Sequence, residues 1–242
     1  MGVLTIGSCA TPDSDRLKWK QLPHEIFGTS VEGKSIDGVV LGSGAETCLL
    51  LGVVHGNEPL GEPILKRLAT LLAASPQALH DRRVVIVPVV NPDGLEAGTR
   101  TNANGVDLNR NFPAANWRAA ALHGQHRASE PETNVVLKLI RQFAPQRVLA
   151  VHSPLECVNF DGPAEELAAR IAVLTPYPVQ GDIGYPTPGS LGSYLGHDLQ
   201  TPTITLELRR GIDAEQAWGD THQGLMEFIS DRQRLSHGHA GK

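Results

Sequence analysis

Aromatic side chains make up only 5% of this chain, cysteines number 3 and methionines 2. Each shortage excludes something. Cys9, Cys48 and Cys157 are far apart and odd in number, which is not a disulfide framework, so a reducing compartment is the simpler reading. A membrane helix needs about 20 consecutive apolar residues, and no run in the sequence approaches that length. Residues 4–9 superficially resemble a lipidation site ending at Cys9, but nothing basic precedes them and the apolar stretch is too short for a signal peptide. The expected location is therefore the cytoplasm, with no membrane partner.

Positive charge is also scarce. Lys and Arg total 21 against 26 Asp and Glu, a formal net charge of -5, and no basic block occurs. Nucleic acids and anionic membranes both call for concentrated basic surface, so small molecules are the expected partners. At 242 residues, 40% hydrophobic and 19% charged, the chain is expected to form one domain, residues 1–242, around a single substantial core. The first 35 residues or so are polar and weakly patterned, and read as a loose segment. Residues 236–242 read as a flexible tail, in which His237 and His239 are not expected to form a site.

The intervening pattern alternates strands with helices. Residues 48–54 are an unbroken apolar run, as in a strand covered on both faces. Pro63 suits the first turn of a helix carrying Ile64, Leu65, Leu68, Leu71 and Leu72 inward, with Pro76 beyond its end. Residues 84–90 read as a second buried strand in which Pro88, lacking an amide donor, implies a bulge or local edge. Asn91-Pro92-Asp93-Gly94 is a turn, and the long polar stretch to about residue 125 reads as a functional loop. Ser129 with Glu132 has capping-box spacing, Pro131 sits in the first turn, and Val135, Val136, Leu139, Ile140 and Phe143 form a helical stripe.

Residues 148–151 are a third strand, ending at His152. A helix over residues 162–174 follows, then a Gly/Pro/Ser-rich segment over residues 181–195 with the look of a site loop. Residues 203–208 are a strand with Glu207 near its end, and Asp213 caps a last helix running to about Ile229. The expected fold class is α/β, a three-layer α/β/α sandwich around a mixed, mostly parallel sheet. Ligands bind outside the carboxyl ends of the strands in such sheets, where His55, His152 and Glu207 all fall.

His55-Gly56-Asn57-Glu58 follows the first strand, and a His and a Glu three residues apart there have metal-ligand spacing. By itself the pair is equally well a strand-end His and a helix-start Glu favoured by the helix dipole. His152 adds a third donor from a separate strand, and a catalytic zinc site takes three N or O ligands and leaves one position open. His123, His126, His197 and His222 are tied to no partner by spacing, and Cys157, close after His152, reads as a small buried residue.

The series His55-Gly56-Asn57-Glu58, Asn91-Pro92-Asp93-Gly94, Arg100, Asn104-Gly105-Val106-Asp107-Leu108-Asn109-Arg110-Asn111-Phe112-Pro113, His152 and Thr205-Leu206-Glu207-Leu208 resembles, in that order, the motifs of carboxypeptidase A-type zinc peptidases. Residues 102–117 and 188–193 are most similar to its bacterial murein peptide amidase group, which cleaves the γ-D-glutamyl-meso-diaminopimelate bond of murein peptides during wall recycling. The resemblance implies one zinc ion per chain held by His55, Glu58 and His152. It further implies Glu207 as general base, Arg100 against the oxyanion, and Asn109 with Arg110 on the free carboxylate of the substrate. Tyr185 lies roughly where the family has a mobile Tyr that covers substrate. Arg209 and Arg210 depart from the amidase pattern. They read as solvated, the alternative being contact with the second carboxylate of diaminopimelate.

Three other readings compete. One is a general metallocarboxypeptidase that releases a C-terminal amino acid. Another is an aspartoacylase-like or desuccinylase-like deacylase, which shares the His-Gly-Asn-Glu motif. The last, a non-catalytic zinc-dependent peptide-binding module, is disfavoured because Glu207 is present.

Overall fold

The computed structural model describes residues 18–231. Cys9, the expected tail from Ser236 and the histidines at 237 and 239 lie outside the described residues. Eight strands form one sheet: β1 (His24–Thr29), β2 (Ser35–Leu41), β3 (Glu46–Leu51), β4 (Arg82–Val87), β5 (Arg147–His152), β6 (Cys157–Asp161), β7 (Val179–Gln180) and β8 (Thr203–Glu207), in the order β1-β2-β4-β3-β5-β8-β6-β7. The central run β4-β3-β5-β8 is parallel, whereas β1, β2 and β6 join antiparallel to their inward neighbours. Helices α1 (Gly61–Ala74), α2 (Pro92–Ala97), α3 (Pro131–Phe143), α4 (Glu165–Val173) and α5 (Ala214–Ser230) complete the α/β architecture.

The apolar runs of the central strands make sense once their alternation is followed. Cys48 and Leu50 of β3, Val84 and Ile86 of β4, and Leu149 and Val151 of β5 point to one face, where α1, α4 and α5 pack through Leu65, Leu68, Ile171 and Phe228. Their neighbours Leu49, Leu51, Val85, Val87, Val148 and Ala150 point to the other face, against Val135, Val136 and Leu139 of α3 and against Leu108, Phe112 and Leu191 from loops. A strand covered on both faces has no polar side to alternate with. Burying one such Leu contributes about 1.5–3 kcal/mol.

Several elements differ from the sequence reading. Residues 24–35 are not loose throughout: β1 covers His24–Thr29 and runs antiparallel to β2 as the sheet's edge. Its burial pattern, mostly exposed with Phe27 inward, hides an edge strand from a search for apolar runs. Pro88 makes no bulge, because β4 stops at Val87. Asn91-Pro92-Asp93-Gly94 opens the short helix α2, with the Asn91 side chain accepting from the Gly94 amide. Ser129 and Glu132 form no capping box. The residue before α3 is Glu130, and the fully buried Glu132 instead accepts from the Val31 amide and from Asn102. Asp213 does cap α5, accepting from the Gln216 amide.

The carbonyl end of α5 is closed by an unusual residue. Arg147, 1% exposed at the start of β5, donates from Nε to the Phe228 carbonyl and from Nη2 to that of Ile229. Terminal helix carbonyls have no partner within the helix, and burying them unpaired costs about 1–3 kcal/mol each. Arg147→Met is therefore expected to lower unfolding free energy by about 2–4 kcal/mol in a denaturant titration; an unchanged midpoint would show that water closes this helix end equally well.

Candidate active site

The ends of the parallel strands converge. His55 and Glu58 lie in the turn after β3, where the Glu58 amide donates to the His55 carbonyl. Gly56 lets this turn press against α2, since a Cβ there would run into the Gly94 backbone. His152 is the last residue of β5, and in the parallel register of β5 with β8 its Cα partner is Glu207. Strand pairing thus sets two separately encoded residues side by side.

His55 Nδ1 is 2.9 Å from Glu58 Oε1, and His152 Nδ1 is 2.9 Å from Glu58 Oε2. The two imidazole Nδ1 atoms face each other at 3.0 Å, and all three side chains are buried. Two unprotonated ring nitrogens at that distance repel, so the cluster calls for a cation or a proton between them. Among the described residues these three form a group whose donor atoms lie within 4.8 Å of one another. Two nitrogens and one carboxylate are the donor set of a catalytic zinc site, and the residues present fit that ion.

Asp107 finishes the cluster, and the sequence reading assigned it no role. Its Oδ1 faces His55 Nε2 at 3.0 Å and accepts from the Asn109 amide, while its Oδ2 accepts from Arg100 Nε at 2.9 Å. A carboxylate on the far nitrogen of a ligating imidazole fixes its tautomer and raises its basicity. The signal available was its place within the motif loop, between Arg100 and Asn109.

Charge in the cluster is strongly polarised. Burial alone disfavours the ionised forms of Glu58 and Asp107, yet the facing imidazoles hold both carboxyl groups well below the usual range. Burial likewise opposes a charged His55, but Asp107 and Glu58 outweigh it and raise its pKa.

A cavity of about 340 Å³ opens over this cluster, and all eight residues singled out from the sequence line it: His55, Glu58, Arg100, Asn109, Arg110, His152, Tyr185 and Glu207. Glu207 is buried, with Oε2 accepting from the Leu155 amide at 3.3 Å. Arg100 also reaches Glu58 Oε1 through Nη1 at 3.3 Å. Asn109 Oδ1 accepts from the Leu191 amide, and Arg110 Nη1 donates to the Asn109 carbonyl at 2.6 Å. Burial pushes the Arg110 pKa down against the pull of Asp107. Tyr185 is 50% exposed at the rim.

The remaining candidates separate from the site. Arg209 lies 3.8 Å from Asp220 and 3.9 Å from Glu156, Arg210 is exposed, and neither lines the cavity. The Nδ1 atoms of His123, His126 and His222 face the carbonyls of Arg118, Arg127 and Trp218. Cys157 is fully buried in β6.

The family profile described as zinc carboxypeptidase matches residues 20–169. This chain belongs to the zinc carboxypeptidase family. It is 36% identical over 202 residues to murein peptide amidase A of Escherichia coli, covering 74% of this chain and 81% of that protein. With murein peptide amidase A of Vibrio campbellii it shares 33% over 177 residues, 66% of this chain and 68% of the relative. Among solved structures, the murein-tripeptide amidase of Escherichia coli superposes with a TM-score of 0.74 at 31% identity, covering 90% and 96% of the two chains. The carboxypeptidase A of Helicoverpa armigera, at 20% identity and a TM-score of 0.73 over 86% and 67%, shares the fold. The chain is thus a hydrolase of the zinc peptidase class. Among the described residues no helix is long and apolar enough to cross a membrane.

These shifts give a signed expectation for the metal-free protein. Glu58 and Asp107 are held down, so their contribution to stability is present above the ordinary carboxylate range and fades as pH falls. His55 is held up, so its contribution is complete below the usual histidine pKa and is lost as pH rises through the raised value. Calorimetry on the metal-free protein is expected to give a lower Tm at about pH 9 than at about pH 6. Zinc, taking the place of the proton, is expected to shrink that decline, and a metal-free Tm that climbs with pH would refute the cluster's electrostatics.

Proposed function

We propose that this chain hydrolyses the γ-D-glutamyl-meso-diaminopimelate bond of murein peptides that end in a free carboxylate, as a cytoplasmic step in cell-wall recycling. The observation that carries the reading is the joint lining of one cavity by a His-Glu-His cluster, an adjacent buried carboxylate and a half-buried guanidinium, in a chain similar along most of its length to murein peptide amidases.

His55, Glu58 and His152 would hold zinc, which when bound supplies a Lewis acid that lowers the pKa of water to about 7 and polarises a carbonyl. Arg110, with Asn109 beside it, anchors the terminal carboxylate through its planar fork, which selects an end residue over an internal one. That anchoring sets the scissile amide over the metal cluster. Glu207, one strand across from His152, accepts the proton of the attacking water and passes it to the departing nitrogen. Arg100 is oriented by Asp107 through Nε. Its remaining donors balance the negative charge that develops on the carbonyl oxygen, at no cost in reorganisation. Tyr185, on the exposed rim, covers the substrate once it is seated.

The general carboxypeptidase reading is less well supported, because Asn116, Asp161, Thr187, Ser190 and Ser193 give the cavity a polar interior ill suited to a large apolar terminal residue. Glu207→Gln keeps the shape and removes the base. On L-alanyl-γ-D-glutamyl-meso-diaminopimelate it is expected to lose about 10²–10⁴-fold in kcat while binding zinc in unchanged amount. Full activity in the loaded variant would sink the assignment of Glu207.

A further inference from the structure

The cavity holds one acid-base pair that the proposed chemistry leaves idle. Asp161, the last residue of β6, has its carboxylate Oδ1 3.1 Å from Nε2 of His197, which sits on a six-residue π-helical turn, Ser193–Asp198. Both line the same cavity as the metal cluster. The Asp161 side chain is 20% exposed and that of His197 64%. The turn approaches so closely that a Cβ on either Gly192 or Gly196 would strike Asp161, so the two glycines keep room for a carboxylate at this spot.

Accounting for the basic side chains that line the cavity singles out His197. His55 and His152 face Glu58, Arg100 is bonded to Asp107 and Glu58 and assigned to the carbonyl oxygen, and Arg110 is assigned to the terminal carboxylate in the proposed function. Arg209 and Arg210, the other candidates for a second carboxylate, do not line the cavity. Among the lining anions, Glu58 and Glu207 belong to the reaction, and Asp182 turns its Oδ1 to the Gly184 amide. Asp161 is left, and burial pushes its carboxyl pKa up in spite of His197, so it gains from a further positive neighbour. Spacing fits as well. Asp161 pairs with Thr203, four residues along β8 from Glu207, which is roughly 13 Å along the strand. Once the two acidic side chains have reached inward from each end, the remaining gap suits a terminal side chain of several carbons.

We infer that Asp161 and His197 together read the zwitterionic far end of the terminal residue. Asp161 takes its ammonium and His197 its second carboxylate, so the cavity selects terminal diamino dicarboxylic acids. The two partners exchange their mutual contact for the complementary pair on the substrate, and a zwitterion satisfies both where a simple amine satisfies one. This rests on the murein peptide reading and names how that substrate class is told apart.

The test compares kcat/KM on L-alanyl-γ-D-glutamyl tripeptides ending in meso-diaminopimelate or in L-lysine, which lacks the second carboxylate. In His197→Gln the ratio of the two is expected to fall about tenfold, the scale of one charge-assisted hydrogen bond. In Asp161→Asn both substrates are expected to weaken, through KM more than kcat. A ratio unchanged in His197→Gln, or a KM unchanged in Asp161→Asn, overturns the pair while leaving the murein reading intact. A wild-type enzyme that cleaves neither tripeptide but releases residues from ordinary peptides overturns both.

Discussion

Two imidazole nitrogens and a carboxylate held within hydrogen-bond distance of one another call for a cation or a proton between them, and the strand ends that impose this distance organise the rest of the site. The turn after β3 presents His55 and Glu58 together, and the parallel pairing of β3 with β5 brings His152 to the same level. Asp107 then fixes the outer nitrogen of His55. Because Asp107 also binds Arg100 and the Asn109 amide, the His-Glu-His cluster, Arg100 and Asn109 belong to one hydrogen-bonded unit. The contacts join motif segments that are scattered through the sequence, so these segments have to be read together.

The arm carrying Arg100, Asp107, Asn109 and Arg110 has little regular structure of its own, and polar groups hold it instead. Asn102 Nδ2 donates to both Glu130 and Glu132, while its Oδ1 accepts from the amides of Asn104 and Val106. Asn111 is fully buried, bonding to the carbonyls of His123 and His126 and accepting from the Glu130 amide. Buried polar groups are costly unless paired, so this network has few alternative arrangements. It accounts for the fate of Glu132, whose spacing from Ser129 suggested a cap. The network draws its carboxylate to Asn102 and the Val31 amide, interactions that no local pattern reveals.

Legibility followed burial. The central strands, with Leu49, Leu50, Val85, Val148 and their neighbours, were visible because two covered faces leave an unbroken apolar run. Both helix stripes and the Asp213 cap were local signals and were readable for the same reason. The strands β1, β2, β6 and β7 were missed. β1, β6 and β7 lie toward a sheet edge and are short or half exposed, and β2, next to that edge, has its apolar run broken by Asp37 and Gly38, so each takes its strand character from its partner. At the site, the eight residues to which the family resemblance gives a role line the cavity. Asp107 escaped because the contact that gives it importance, to His55 Nε2, is made across the fold, although its place between Arg100 and Asn109 in the motif loop was visible.

That division has a consequence for function. The residues proposed for bond cleavage sit at the ends of the best-buried strands or in the contiguous motif loop, so the class of reaction is written in stretches of sequence that stand out. Another part of the cavity lining is built differently, from Asp161 on an antiparallel strand near the sheet edge and from a π-helical turn and the residue before it, whose Gly196 and Gly192 approach Asp161 closely. Neither element leaves a periodic trace, and both can change without disturbing the parallel core or the metal cluster. On the proposed assignment of Asp161 and His197, such a fold can retain its hydrolytic chemistry while its choice of terminal residue varies, because the two are carried by parts of the sheet with separate packing demands.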